Sequence, residues 1–246
     1  MSYKSRGYEP RTYRERTRAG DLGAYEVVVA ETDLFIRGNP DLAPIAEAAA
    51  RQARGEIEAE IARRPEFLTS LDPLKWAEPV GDVVREMYSA AAACDVGPMA
   101  AVAGAVAEHV ARALLEHEPE VIVENGGDIF LATKRARTLA IHAGRSSLSD
   151  RVGLVLPESA QPASVCTSSG TVGPSYSKGN ADAVAVVAAR GALADAAATA
   201  LANRVRTAAD VEPTLASAPG LAGVRHVVII IGDTLGAWGE YDLVPL

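Results

Sequence analysis

The segment Val224–Ile231 closes on five β-branched residues in a row, Val227-Val228-Ile229-Ile230-Ile231. No polar residue alternates with them, so the segment reads as a strand buried on both faces. The rest of the chain must supply that cover. At 246 residues with 48% apolar content, it is long enough to build a core without covalent staples. Its two cysteines, Cys94 and Cys166, rule out a disulfide framework and suit a reducing compartment.

Other strands are expected at Arg11–Arg18 and Ala24–Arg37, joined by the turn Gly20-Asp21-Leu22-Gly23. A helix follows from about Leu42 to Arg64, with Ile45, Ala49, Ala53, Ile57 and Ile61 near helical spacing. Pro65 to Pro79 reads as a connection. Further helices are expected over Val80–Ala93 and over Pro98–His117, where Pro98 suits a first helical turn. In the latter, alanines and Gly104 leave a smooth surface that lets another backbone approach closely.

From Glu120 the period changes to that of strands, at Val121–Glu124, Ile129–Thr133, Thr138–His142, Val152–Leu156, Ala163–Cys166 and Ala183–Ala188. An Ala-rich helix, Ala192–Val205, precedes Val224–Ile231, and a last strand falls near Ala237–Val244. Without regular strand–helix alternation, the fold class is α+β, with mixed or antiparallel sheets against Ala-rich helices in one domain over 1–246. No internal repeat is visible.

The net charge of −8 argues against a nucleic-acid partner. Only the first 18 residues are basic, with Lys4, Arg6, Arg11, Arg14, Arg16 and Arg18 against Glu9 and Glu15, and they read as a solvated arm or an edge strand. No apolar stretch follows the basic start, as a signal peptide would require. The longest small-apolar run, Val96–Ala107, falls well short of the roughly 18 residues of a membrane span. The expectation is a cytoplasmic protein with no membrane partner.

Three segments carry candidate chemistry. Glu124-Asn125-Gly126-Gly127-Asp128 lies between two strands; its glycines suit close approach to a ligand and equally a hairpin turn. Thr167-Ser168-Ser169-Gly170, opening a hydroxyl-rich stretch to Asn180, can aim N–H and O–H groups at a phosphate, although it lacks P-loop spacing. Asp195 and Thr199 stand one turn apart on the Ala-rich helix, two hard oxygen donors suited to Mg2+. The same pair also suits a helix-terminal Asp and a Thr bonded to its own helix. His142 and Arg145 close a strand end, where the arginine can grip a phosphate. A nucleophilic pair of Cys166 with His142 is the weaker alternative to a buried, inert thiol.

In this order, Asn125-Gly126-Gly127-Asp128-Ile129, Thr167-Ser168-Ser169-Gly170 and Ala194-Asp195-Ala196-Ala197-Ala198-Thr199-Ala200-Leu201 resemble the ApbE-like superfamily, whose known members are FAD:protein FMN transferases. The resemblance spans about Ala90 to Val205 and is strongest to the short, cytoplasmic, uncharacterised branch. It implies an ApbE-like (T-fold-like) architecture and Mg2+ held by Asp195 and Thr199, with a backbone carbonyl near Ala101 to Gly104 as third ligand. It also implies FAD as a possible substrate and a small phosphorylated ligand, with a protein Thr as possible acceptor and a homodimer as possible assembly.

The resemblance implies cofactor binding by Asn125, Gly126, Gly127, Asp128, Thr167, Ser168, Ser169 and Gly170, to which Arg145 is added by its own phosphate-gripping chemistry. His142 and Asp182 are the candidates for acid–base work. Two features of the superfamily are replaced here. Ala100-Ala101-Val102-Ala103-Gly104 stands where its Gly-Ile-Ala-Lys-Gly turn would be, and Gly173–Asp182 stands where its His-x-x-Asp-Pro-x-Thr-Gly segment would be. The reading is an Mg2+-dependent enzyme acting on a phosphate-containing nucleotide cofactor. The alternatives are a non-catalytic cofactor-binding protein and an enzyme in the biosynthesis of another cofactor, of pterin or one-carbon type.

Overall fold

The computed structural model describes residues 21–76, 80–170 and 178–246. An antiparallel sheet of eight strands runs through the molecule in the order β1-β2-β3-β4-β7-β8-β9-β10. The strands are β1 (Ala24–Val29), β2 (Thr32–Arg37), β3 (Val121–Asn125), β4 (Asp128–Ala132), β7 (Ala163–Ser168), β8 (Ala183–Ala188), β9 (Val224–Ile231) and β10 (Thr234–Gly239). A smaller sheet, in the order β11-β6-β5, is made by β5 (Arg137–Ala140), β6 (Val152–Leu156) and β11 (Leu243–Pro245).

Strand alternation splits the core in two. Val121, Val123, Phe130, Val184, Val186, Val227 and Ile229 face the helices α1 (Ala43–Arg63), α2 (Asp82–Cys94), α3 (Val102–Leu115) and α4 (Gly191–Ala202). Their sequence neighbours Ile122, Leu131, Ala183, Ala185, Val187, Val228 and Ile230 face the small sheet, against Leu139, Ile141, Leu154 and Leu156. The large sheet is thus the middle of three layers, which is why β8 and β9 are apolar on both sides.

Most expected elements are present, and the fold class is α+β. Ala24–Arg37 is a hairpin rather than one strand, turning at Ala30-Glu31 with Ala30 at φ 51°. Ala237–Val244 divides between β10 and β11, and Pro65–Pro79 contains a helical turn, Glu66–Thr69. A short helix, α5 (Val211–Ser217), lies where none is expected. The expected strand Arg11–Arg18 lies outside the described residues.

The order of elements shows a repetition that the sequence does not. A hairpin (β1-β2), helices (α1–α3) and a hairpin (β3-β4) are followed by a hairpin (β7-β8), helices (α4, α5) and a hairpin (β9-β10). The two units join edge to edge where β4 pairs with β7.

Candidate functional site

The seam between the units gathers two of the three singled-out segments. Asn125 and Asp128 pair across a two-residue hairpin turn whose Gly126 and Gly127 have φ of 66° and 102°. The turn reading of these glycines therefore holds, because only glycine takes both positive φ values at no steric cost. Among the described residues, chain neighbours apart, no atom lies within 4 Å of the position a Cβ on Gly127 would take. The Glu124 carboxylate accepts from the Gly127 N–H at 2.9 Å and braces the turn. Across the seam, Asp128 Oδ1 accepts from the Thr167 N–H at 3.0 Å.

The third segment arrives from the helical layer. The α3 and α4 backbones meet at Gly104 and Gly191, and a Cβ on either would sit 2.3 or 2.1 Å from the other's carbonyl oxygen. Neither helix has a side-chain cap of its own. Each supplies one for the other. Asp195 Oδ2 accepts from the Gly104 N–H at 3.0 Å, and Glu108 Oε2 accepts from the Gly191 N–H at 2.6 Å. In both helices the acidic residue stands four positions after the glycine, so the exchange is reciprocal. Orphan N–H groups of both first turns are satisfied in this way. Asp195 thus does cap a helix, but the neighbouring one. Asn125 Nδ2 donates to the Ala103 carbonyl at 3.2 Å and ties the β3–β4 turn to the same place.

The two acidic partners differ in charge balance. Glu108 Oε1 takes Arg112 Nη2 at 2.6 Å and Arg190 Nε at 3.1 Å, and Arg190 also reaches Glu86 at 2.7 Å. Asp195 pairs with no basic side chain among the described residues, and a second carboxylate, Asp128, is close enough to interact with it. Burial raises the Asp128 carboxyl well above its ordinary range, and the Asp195 charge adds to that; bonds from Thr167 N–H and the Cys166 thiol oppose it. Packing around the Asp195 carboxylate pushes its pKa up to about 7, against the pull of the Gly104 and Ala103 N–H groups. Cys166 is fully buried; desolvation, then the Asp128 and Asp195 charges, push its thiol well up, as suits an inert thiol.

Thr199 lies one turn beyond Asp195 on α4 and, like it, is partly exposed. Among the described residues no three His, Cys, Asp or Glu side chains group to hold a metal ion. The donor set nevertheless fits Mg2+, a hard cation that uses one or two carboxylates and takes its other oxygens from hydroxyl, backbone, water or phosphate. The Asp195 and Thr199 oxygens, one helical turn apart with the Asp128 carboxylate near them, and with neither acid paired to a basic side chain among the described residues, meet that description.

The other expected residues are distributed more widely. Thr167 and Ser168 end β7, and Ser169 Oγ donates to the Ala181 carbonyl at 3.5 Å. Gly170 N–H donates to the Ala181 carbonyl at 2.9 Å, and 171–177 lie outside the described residues. Asp182, at the start of β8, accepts from the Gly232 N–H at 2.7 Å and so holds the β9–β10 turn.

His142 and Arg145 are exposed in the loop after β5, which belongs to the small-sheet layer. His142 Nδ1 sits 3.2 Å from Asp150, and Ser146 Oγ, one residue after Arg145, donates to the Gly232 carbonyl. Cys166 packs toward α4 on the other side of the sheet, against Ala188 and Ala194, so His142 and Cys166 are not brought together. Of the reciprocal caps, the sequence singles out Gly104, as a smooth surface for close approach, and Asp195, but not Gly191 or Glu108. Their signal was the repeated spacing Gly104-x3-Glu108 and Gly191-x3-Asp195.

The family described as AbpE bacteria matches residues 14–221. A UPF0280 protein of Methanopyrus kandleri is 40% identical over 221 residues, covering 87% of this chain and 89% of that protein. A UPF0280 protein of Methanocella arvoryzae is 38% identical over 213 residues, 86% of each chain. Among solved structures, the apo form of the flavinyl transferase ApbE of Pseudomonas stutzeri superposes with a TM-score of 0.56 at 14% identity, covering 88% of this chain and 94% of that one. The flavin transferase ApbE of Vibrio cholerae gives 0.55 at 12% identity, over 89% and 97%.

Proposed function

The chain belongs to the AbpE bacteria family, and from that premise we propose that it is an Mg2+-dependent enzyme acting on a phosphate-containing nucleotide cofactor, with FAD as the first substrate to test. One observation carries this reading. Of two matching acidic positions at the α3–α4 crossing, Glu108 is neutralised by two arginines, and Asp195 has another carboxylate, Asp128, near it and pairs with no basic side chain among the described residues.

Asp195 and Thr199 would hold the ion, with phosphate oxygens completing its shell. When bound, Mg2+ neutralises a pyrophosphate and polarises the phosphorus under attack. The chain's own part is to position. Among the described residues the space beside Gly127 is open, which leaves room for a nucleotide, Asn125 fixes the Gly126-Gly127 turn to α3, and Asp128 holds the Thr167 end of β7 beside it. In a flavin transfer, the FAD pyrophosphate P–O bond breaks, an acceptor Thr oxygen bonds the FMN phosphorus, AMP leaves, and the hydroxyl proton passes to a base.

A second reading, a binding protein without turnover, is favoured by the place of His142 in the small-sheet layer, paired with Asp150. The test is FAD with Mg2+, followed by chromatography for AMP and mass spectrometry of a co-expressed Thr-containing target, alongside native mass spectrometry of the purified protein. AMP release lost in Asp195→Ala and in EDTA supports the enzyme. A tightly held cofactor with no AMP supports the binding protein. Equal ligand affinity with Mg2+, with EDTA and in Asp195→Ala overturns the metal assignment.

A further inference from the structure

We propose that Glu108 is a positioning residue for Asp195, acting through a closed loop of hydrogen bonds between α3 and α4. The significance for catalysis rests on the metal reading above; the loop itself does not.

The two Glu108 oxygens have separate partners. Oε1 is held by Arg112 Nε at 2.7 Å and by Arg190 Nε at 3.1 Å, which leaves Oε2 aimed at the Gly191 N–H at 2.6 Å. Glu108 is buried, so its carboxylate has little freedom to leave that position. Gly191 opens α4, and Asp195 stands one turn further on, so fixing Gly191 fixes the height of Asp195 along α3.

Asp195 then closes the loop by accepting from Gly104 N–H, one turn before Glu108 on α3. With glycine at both crossing points, the two backbones touch directly, and small alanines pack around them, so few large side chains interlock there. The two charge-assisted bonds hold the register instead, and they are the stronger class of hydrogen bond. Arg190, as the residue before α4, adds a second tie through Glu86 on α2. Glu108 therefore sets where the Asp195 carboxylate points without touching anything bound there.

The test compares Glu108→Gln, which keeps an acceptor for Gly191, with Glu108→Ala, which removes it. Two readouts are taken in the full chain: hydrogen exchange of the Gly104 amide without metal, and Mg2+ affinity by calorimetry with FAD present. In Glu108→Ala, Gly104 exchange should rise and Mg2+ affinity fall, each by about tenfold, the scale of one lost charged hydrogen bond. Glu108→Gln should restore both to within about threefold of wild type.

Arg190→Ala, at a largely exposed guanidinium, serves if Glu108→Ala does not fold, and should raise Gly104 exchange several-fold. Unchanged Gly104 exchange in Glu108→Ala, or in Arg190→Ala where that variant stands in, overturns the proposal. If the wild type binds no Mg2+, the metal reading fails, and coupled exchange at Gly104 still decides the positioning role.

Discussion

Gly104→Ala is the sharpest test of the helix crossing. The new methyl would lie 2.3 Å from the Gly191 carbonyl oxygen, 2.8 Å from its carbon and 2.9 Å from Asp195 Cβ. Ordinary contact begins near 3.4 Å, so α3 and α4 must part by about 1 Å. The Gly104 N–H to Asp195 bond, now 3.0 Å, would then exceed hydrogen-bond range. Overpacking costs about 1–3 kcal/mol, and losing a bond to a charged group costs about 1.5–3. The better helix propensity of alanine returns about 1 kcal/mol. The net is roughly 1.5–5 kcal/mol of destabilisation, or a fall in Tm on the order of 3–20 °C for a chain of this size.

Gly55→Ala is the internal control. It lies inside α1 with nothing within 4 Å of its new Cβ, so it should raise stability by up to about 1 kcal/mol. Calorimetric scans of both variants, with Mg2+ titrations of the folded fraction, make the comparison. A Gly104→Ala protein at least as stable as wild type, with unchanged Mg2+ affinity, would falsify the close-crossing argument.

Metal-free stability should depend on the raised carboxylates. Asp195 holds its proton up to about pH 7 when folded and to only about pH 4 when unfolded, so its contribution to stability falls as pH rises through that interval. His226, lowered by burial, acts in the opposite sense below its ordinary pKa, so the quantity to measure is the difference in slope between wild type and Asp195→Asn in urea melts with EDTA. Identical slopes would remove Asp195 as the source, and Mg2+ should bind more tightly as pH rises through about 7. Cys166 and Cys94, both buried with raised pKa values, should react with a thiol reagent only on unfolding; reaction on mixing at pH 8 would contradict their burial. Gly127→Ala should destabilise by about 1–2 kcal/mol through its φ of 102°, since among the described residues no atom crowds the new methyl; a neutral change in a urea melt would show that the turn relaxes freely.

Legibility in the sequence followed the strength of the local signal. Val152–Leu156, Ala183–Ala188 and Val224–Ile231 are strands at the expected residues, because short valine- or isoleucine-bearing apolar runs bounded by polar or turn residues have little alternative. The β1–β2 turn was hidden because it uses Ala30 and Glu31 where glycine, asparagine or aspartate would mark a hairpin. Helix α5 was hidden by Pro213, which falls in its first turn, where proline is tolerated. At the site, the spacing of Asp195 and Thr199 was readable, as was the smooth Gly104 surface. The pairing of Asp195 with Asp128, and the exchange of caps with Glu108, depend on contacts between residues 67 and 83 or more positions apart. No window of sequence contains them.

The doubled hairpin–helix–hairpin plan has a consequence for division of labour. In a symmetric dimer of one unit, every acidic position would occur twice with identical surroundings, and a change suiting one would be imposed on both. One continuous chain removes that constraint. Its two copies can diverge, so that the position in the first unit becomes a saturated joint, closed by Arg112 and Arg190, and the position in the second keeps its unbalanced charge. Asp128 comes from the first unit, and Cys166, Thr167 and Asp195 from the second. Severing the chain between β4 and β7 would therefore leave two fragments, neither of which contains both carboxylates.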